Sequence, residues 1–118
     1  MNSEYIIPKG QIRAINERYG GSLRTDAEIE TALGLGKGKC IFRKISYLWR
    51  AILVGHPFTD GNKRTALIVA LTILEKCRVG MDECGKERMV AEIRRIAAES
   101  ITDVNRIERL IRYAVTGD

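Results

Sequence analysis

Apolar residues recur along this chain every three or four positions, the spacing that gathers side chains on one face of an α-helix. Ile12, Ile15 and Tyr19 make the first such stripe, which predicts a helix over residues 8–19, with Pro8 tolerated in its first turn and Gly20-Gly21 stopping it. Thr25 precedes Glu28 by three residues, the capping-box spacing, and a short helix carrying Ile29, Ala32 and Leu33 is expected to follow and to end at glycines. Ile45, Leu48, Trp49, Ile52 and Leu53 predict a helix over residues 43–54, closed by Gly55, in which Trp49 belongs to the core stripe. Residues 64–78 read as a helix apolar almost all round, the pattern of a central helix covered by others. Two further helices are predicted: one over residues 83–98 with Met89, Val90, Ile93 and Ile96, and one over residues 103–115 with Val104, Ile107, Ile111 and Val115, capped by Thr102.

No segment alternates long enough to predict a sheet, so the expected fold is all-α: a compact helical bundle around a buried central helix, as a single domain over residues 1–118. One segment resists the helical pattern. Residues 34–42, GLGKGKCIF, hold three glycines and two lysines ahead of an apolar triplet, and read either as a mobile connector or as a short hairpin. The segment lacks the full glycine-lysine pattern of a phosphate loop, because Cys40 follows Lys39 with no Ser or Thr.

Composition narrows the setting. A 118-residue chain that is 45% hydrophobic can bury a modest core without crosslinks. Its three cysteines, Cys40, Cys77 and Cys84, are odd in number and form no C-x-x-C pair, which favours reduced thiols in a cytoplasmic protein. The start MNSEYIIPKG lacks the basic and apolar regions of a signal peptide, and no apolar run is long enough to cross a bilayer, so no membrane role is expected. A net charge of +5 suits an anionic partner, yet the basic residues are spread along the chain, and a nucleic-acid role is not favoured.

The densest chemistry lies in residues 56–65, HPFTDGNKRT, which contain the single histidine of the chain. Asp60-Gly61-Asn62 can turn the chain and cap the central helix, leaving its first amide donors pointing outward as an anion site. Lys63 and Arg64 then fall in the first helical turn, where the helix dipole disfavours cations unless something negative binds. A phosphate would reverse that penalty, with Arg64 as a two-pronged clamp and Lys63 as a mobile charge. Asp60 has the chemistry of a magnesium ligand, since that ion combines one or two carboxylates with substrate phosphates. His56 is placed to take a proton from a hydroxyl near neutral pH, and Phe58 to anchor the loop in the core. A plain structural reading stands beside this one, with a His-Pro connector, a capping Asp60 and two solvated cations.

The run H-P-F-T-D-G-N-K-R-T resembles the signature of the Fic/Doc superfamily, and its lysine after asparagine resembles the Doc branch. RYGG at residues 18–21 and ETAL at residues 30–33 are also similar to the opening of Doc-like proteins. The resemblance implies ATP and Mg2+ as cofactors, His56 as the base that activates a target hydroxyl, and Asp60 as the metal ligand. Gly61 and Asn62 match the phosphate nest, and Arg64 matches the phosphate-binding arginine. Residues 34–42 would correspond to the flap that docks a target peptide in extended form. Where adenylyl-transferring Fic enzymes have a second glycine this chain has Lys63, and where they have a second arginine it has Leu67.

Both departures follow the Doc pattern, in which the nucleotide lies reversed and its γ-phosphate faces the hydroxyl. The implied activity is a protein kinase acting on Ser or Thr, with elongation factor Tu as the family target and arrested translation as the result. Adenylyl transfer is the alternative, and an inactive nucleotide- or protein-binding module a second. No segment resembles the inhibitory helix of some Fic proteins, so a separate antitoxin chain is the expected partner.

Overall fold

The structure, a computed structural model, describes residues 4–118. It contains six helices: α1 (Lys9–Glu17), α2 (Ala27–Gly36), α3 (Ile41–Trp49), α4 (Asn62–Lys76), α5 (Gly85–Glu99) and α6 (Val104–Thr116). Between α3 and α4 the backbone continues from Trp49 as a π-helical turn, Arg50–Val54. No strand is present among the described residues, so the expected all-α bundle is the fold observed.

Central position follows from covering on all sides. From Thr65 to Leu74 no side chain of α4 is fully exposed, and α1, α3, the π-helical turn and α5 all pack against it. Trp49 is wholly buried, and its indole N–H donates to the carbonyl of Ala66 at 3.0 Å. That bond gives the ring a polar partner within the core and fixes α3 against the first turns of α4. On the far side α6 lays Val104, Ile107, Ile111 and Val115 against α3 and α5. The Arg43 Nε to Glu108 Oε1 pair at 2.7 Å ties α3 to α6 at the rim. At the other end of the bundle Lys9 pairs with Asp26 and Glu30, holding the start of α1 to the start of α2.

Three local expectations are corrected. Residues 34–42 form neither a hairpin nor an extended flap: α2 runs on to Gly36, a turn follows, and Ile41 already opens α3. The glycines mislead because one of them serves packing. A Cβ on Gly36 would lie 3.3 Å from the Lys44 side chain, so α2 ends pressed onto α3, and Gly38 supplies the left-handed turn at φ 73°. The capping box at Thr25 does not form as expected, since Asp26 stands at the N-cap and the Thr25 hydroxyl accepts from the Ala27 amide at 3.3 Å. At α6 the cap is Asp103 in place of Thr102, with Asp103 Oδ1 accepting from the Asn105 amide at 2.9 Å. In both cases an acid one residue downstream occupies the N-cap.

Candidate functional site

His56 is delivered by a distortion of the chain before it. The π-helical turn buries Ala51, Ile52 and Leu53 and ends with the Gly55 amide donating to the Arg50 carbonyl at 3.3 Å. Such a turn inserts extra backbone into a helix and re-aims the residues beyond it, which is why π-turns gather at functional positions. Gly55 cannot carry a side chain, because a Cβ there would lie 1.5 Å from Glu28 Oε2 and 2.4 Å from the Ala51 carbonyl. His56 itself takes φ 49°, a left-handed conformation uncommon outside glycine, and its imidazole is exposed with no hydrogen-bond partner among the described residues.

The loop after His56 is fixed on both sides. Phe58 is 1% exposed, so its ring anchors the loop as expected; burying a ring of this size stabilises by about 1.5–3 kcal/mol. Its backbone forms an isolated antiparallel bridge with Leu23, flanked by Arg24 N–H to the Pro57 carbonyl at 2.8 Å and Thr59 N–H to the Ser22 carbonyl at 2.9 Å. The Asn62 side chain closes the loop from the other side. Its Oδ1 accepts from the Phe58 amide at 3.3 Å and its Nδ2 donates to the Phe58 carbonyl at 3.0 Å. Asn62 therefore shapes the loop with its amide side chain and has its backbone N–H to offer an anion.

Gly61 occupies the N-cap of α4 at φ 72°, with no side-chain cap, and a Cβ there would lie 3.0 Å from Tyr19 Cβ. The side-chain cap expected from Asp60 or Asn62 is thus absent; Asp60 Oδ1 turns back to accept from the Gly61 amide at 2.8 Å. The first internal bond of α4 runs from the Thr65 amide to the Gly61 carbonyl at 2.9 Å. The amides of Asn62, Lys63 and Arg64 are left at the mouth of the helix without acceptors among the described residues, a positive backbone terminus.

His56, Asp60, Gly61, Asn62, Lys63 and Arg64 all line one open cleft of about 480 Å³, with Tyr19 and Thr59 completing its wall. The six residues expected to act on a ligand are therefore brought together, while Phe58 lies in the core and Leu67 and residues 34–42 do not line the cleft. Lys63 and Arg64 are exposed and unpaired with any carboxylate among the described residues, and the Arg64 guanidinium lies over the Tyr19 ring, 5.6 Å from its centroid. That stacking limits where the guanidinium can go while leaving its donors for a ligand.

Asp60 is the single carboxylate on the cleft, and no three His, Cys, Asp or Glu side chains cluster as a metal cage among the described residues. One exposed carboxylate beside free amides and two cations fits an ion that draws its remaining ligands from phosphate and water, which is the habit of magnesium.

Two residues support the site in ways not foreseen: Asn16 was not singled out in the sequence, and Gly21 was read only as a helix stop and as part of RYGG. Asn16 on α1 is fully buried; its Nδ2 donates to the Asp60 carbonyl at 2.8 Å and to Thr65 Oγ1 at 3.1 Å. Gly21 gives that contact its room, since a Cβ would lie 2.3 Å from Asn16 Oδ1 and 2.4 Å from the Asp60 carbonyl. The available signal was Asn16 standing next to Ile15 on the buried face of α1, a polar residue in a core register.

A protein-family model described as the Fic/DOC family matches residues 6–74, more than half of the chain and all of the cleft. No curated protein and no solved structure matches.

Proposed function

Because the chain belongs to the Fic/Doc family, we propose that it is a transferase that moves the γ-phosphoryl group of ATP to a Ser or Thr hydroxyl of a target protein. The observation that carries this reading is the convergence of an unpartnered imidazole, a lone carboxylate, free helix amides and two unpaired cations on one cleft. Each has a part in phosphoryl transfer, where little covalent chemistry is asked of the protein and positioning with charge stabilisation does most.

His56 takes the proton of the attacking hydroxyl on a ring nitrogen as the oxygen bonds to phosphorus. The bond from that phosphorus to the β–γ bridging oxygen breaks, and ADP leaves with the electron pair. The amides of Asn62, Lys63 and Arg64, with the Lys63 and Arg64 side chains, stabilise the charge on the transferring oxygens. Asp60 would hold magnesium, which would supply further charge neutralisation at the phosphates.

Lys63 and Leu67 favour γ-phosphoryl over adenylyl transfer. Lys63 fills the place of a small residue at the nest, and Leu67, one turn on, offers no charge where a second arginine would hold a phosphate. Elongation factor Tu is the proposed target, with inhibition of translation as the outcome and a separate antitoxin chain as the regulator.

The test supplies the purified protein, Mg2+ and elongation factor Tu with ATP labelled at either the γ- or the α-phosphate, alongside His56→Ala. Transfer of γ-label alone, lost in the variant, is expected. Transfer of α-label would replace the kinase reading with adenylyl transfer. Nucleotide binding without transfer of either label to this target or to cell extract would reduce the protein to a binding module.

A further inference from the structure

Among the described residues four arginines lie over aromatic rings, and three of these are also held by polar partners. Arg88, over Tyr113, pairs with Asp82; Arg112, over Phe42, pairs with Glu108; and Arg50, over Tyr47, donates to the Thr102 carbonyl at 3.5 Å. Arg64 differs. Its guanidinium lies 5.6 Å from the Tyr19 centroid with no hydrogen-bond or carboxylate partner among the described residues. The ring alone restrains it there, and a ring face takes up none of its N–H donors.

Tyr19 is itself firmly placed. Its amide donates to the Asn16 carbonyl at 2.9 Å, just past the end of α1. A Cβ on Gly61 would lie 3.0 Å from Tyr19 Cβ and 3.5 Å from the Tyr19 carbonyl, so the N-cap of α4 rests directly on this residue. Gly61 and Arg64 stand three positions apart, which puts them on one face of α4, the face laid against Tyr19.

Electrostatics works against that arrangement in the empty cleft. The positive end of α4 and the neighbouring Lys63 both repel a guanidinium in the first turn, and without a counterweight an exposed arginine would swing out into water. The negative face of the Tyr19 ring supplies the counterweight. It also limits the rotamers open to a long side chain, so that less freedom is lost when an anion arrives.

We propose that Tyr19 is a positioning residue, whose ring holds the Arg64 guanidinium at the mouth of α4 ready for an anion. The role rests on the proposed transfer activity, which makes that anion a phosphate group of ATP. It belongs to the ring face and not to the hydroxyl, which has no hydrogen-bond partner among the described residues.

Titration calorimetry of the whole protein with magnesium and inorganic tripolyphosphate tests this without any turnover. Tyr19→Leu is expected to weaken binding about three- to fivefold, the worth of one exposed cation–ring contact. Tyr19→Phe, which keeps the ring, should restore what Tyr19→Leu loses. In an Arg64→Ala background Tyr19→Leu should cost nothing further, because the residue it acts through is gone. A role confined to packing would weaken both backgrounds equally, and that result would overturn the proposal, as would a Tyr19→Phe protein as weak as Tyr19→Leu. Should Tyr19→Leu fail to fold, NMR of the ligand-free wild type decides: an ordered Arg64 Nε–H with Cδ protons shifted upfield by the ring is expected, and averaged, unshifted signals would refute it.

Label transfer separates this role from the functional reading. Coupling between Tyr19 and Arg64 in tripolyphosphate binding, with no label moved from ATP, would retain the positioning role and remove the transferase. His56-dependent transfer with no such coupling, or with no tripolyphosphate binding, would do the reverse.

Discussion

Replacing Asn16 with Ala removes the strut between α1 and the mouth of α4 without touching any group that faces the cleft. Two hydrogen bonds go, one to the Asp60 carbonyl at 2.8 Å and one to Thr65 Oγ1 at 3.1 Å. At about 1 kcal/mol net for each, plus about 1–2 kcal/mol for leaving the Asp60 carbonyl unpartnered, the gross loss is about 3–4 kcal/mol. Part of this is offset, because Asn16 Oδ1 is buried without a partner and its removal relieves about 1 kcal/mol of existing cost. The net expectation is about 2–3 kcal/mol, or a fall in Tm of about 8–12 °C in a chain of this size. Thr65 keeps its own bond to the Gly61 carbonyl at 2.8 Å, so the first turn of α4 survives while Asp60 loses its tether.

Thermal and urea unfolding measure the stability term, and label transfer measures the displacement of the site. A shift of about 1 Å in a reacting group costs on the order of 100-fold in rate, so turnover is expected to fall well beyond any change in nucleotide affinity. Asn16→Asp sharpens the test by setting a carboxylate against the Asp60 carbonyl. It should be less stable than Asn16→Ala at neutral pH and recover relative to wild type as pH falls and protonation restores a donor. An Asn16→Ala protein within about 0.5 kcal/mol of wild type and with unchanged turnover would refute the strut.

Gly21→Ala forces a methyl group into the same contact, 2.3 Å from Asn16 Oδ1 and 2.4 Å from the Asp60 carbonyl, and should destabilise by about 1–3 kcal/mol. Combined with Asn16→Ala the loss should be less than additive, because one of the two clashes is already gone; strict additivity in unfolding experiments would show that the residues are not coupled. The pH dependence of stability has a separate source at the start of α5. The hydrogen-bonded Arg88 guanidinium holds the Asp82 carboxyl below its ordinary value of 3.8. A depressed carboxyl pKa contributes stability that is present above the unfolded value and lost as pH falls through the folded one. Asp82→Asn should therefore lower stability at pH 6 and show a shallower decline below about pH 4 in acid-unfolding curves, whereas curves parallel to wild type would contradict the linkage.

The chemistry of the cleft was legible because it is contiguous. Residues 56–65 bring a base, an acid, a glycine turn and two cations to one helix start, and local geometry alone places them within reach of one ligand. The supports of the cleft were only partly legible: the RYGG likeness marked Tyr19 and Gly21 without giving them a role, and Asn16 went unmarked, because all three meet residues 60–65 from about forty positions away and spacing along the chain does not encode that meeting. The same holds for residues 34–42. Their glycines suggested a loop or a flap, yet Gly36 is needed as a small surface under Lys44, and close packing of α2 on α3 overrode the weak local preference.

The all-helical class, the central helix and the residues that meet at its N-terminus are written in the chain itself, since each follows from periodicity or from neighbours within a few positions. Two features arise only when the helices assemble: the π-turn that aims His56 and the strut from α1. These depend on which helix faces lie against one another, and that is set by burying all the apolar stripes at once rather than by any one stripe.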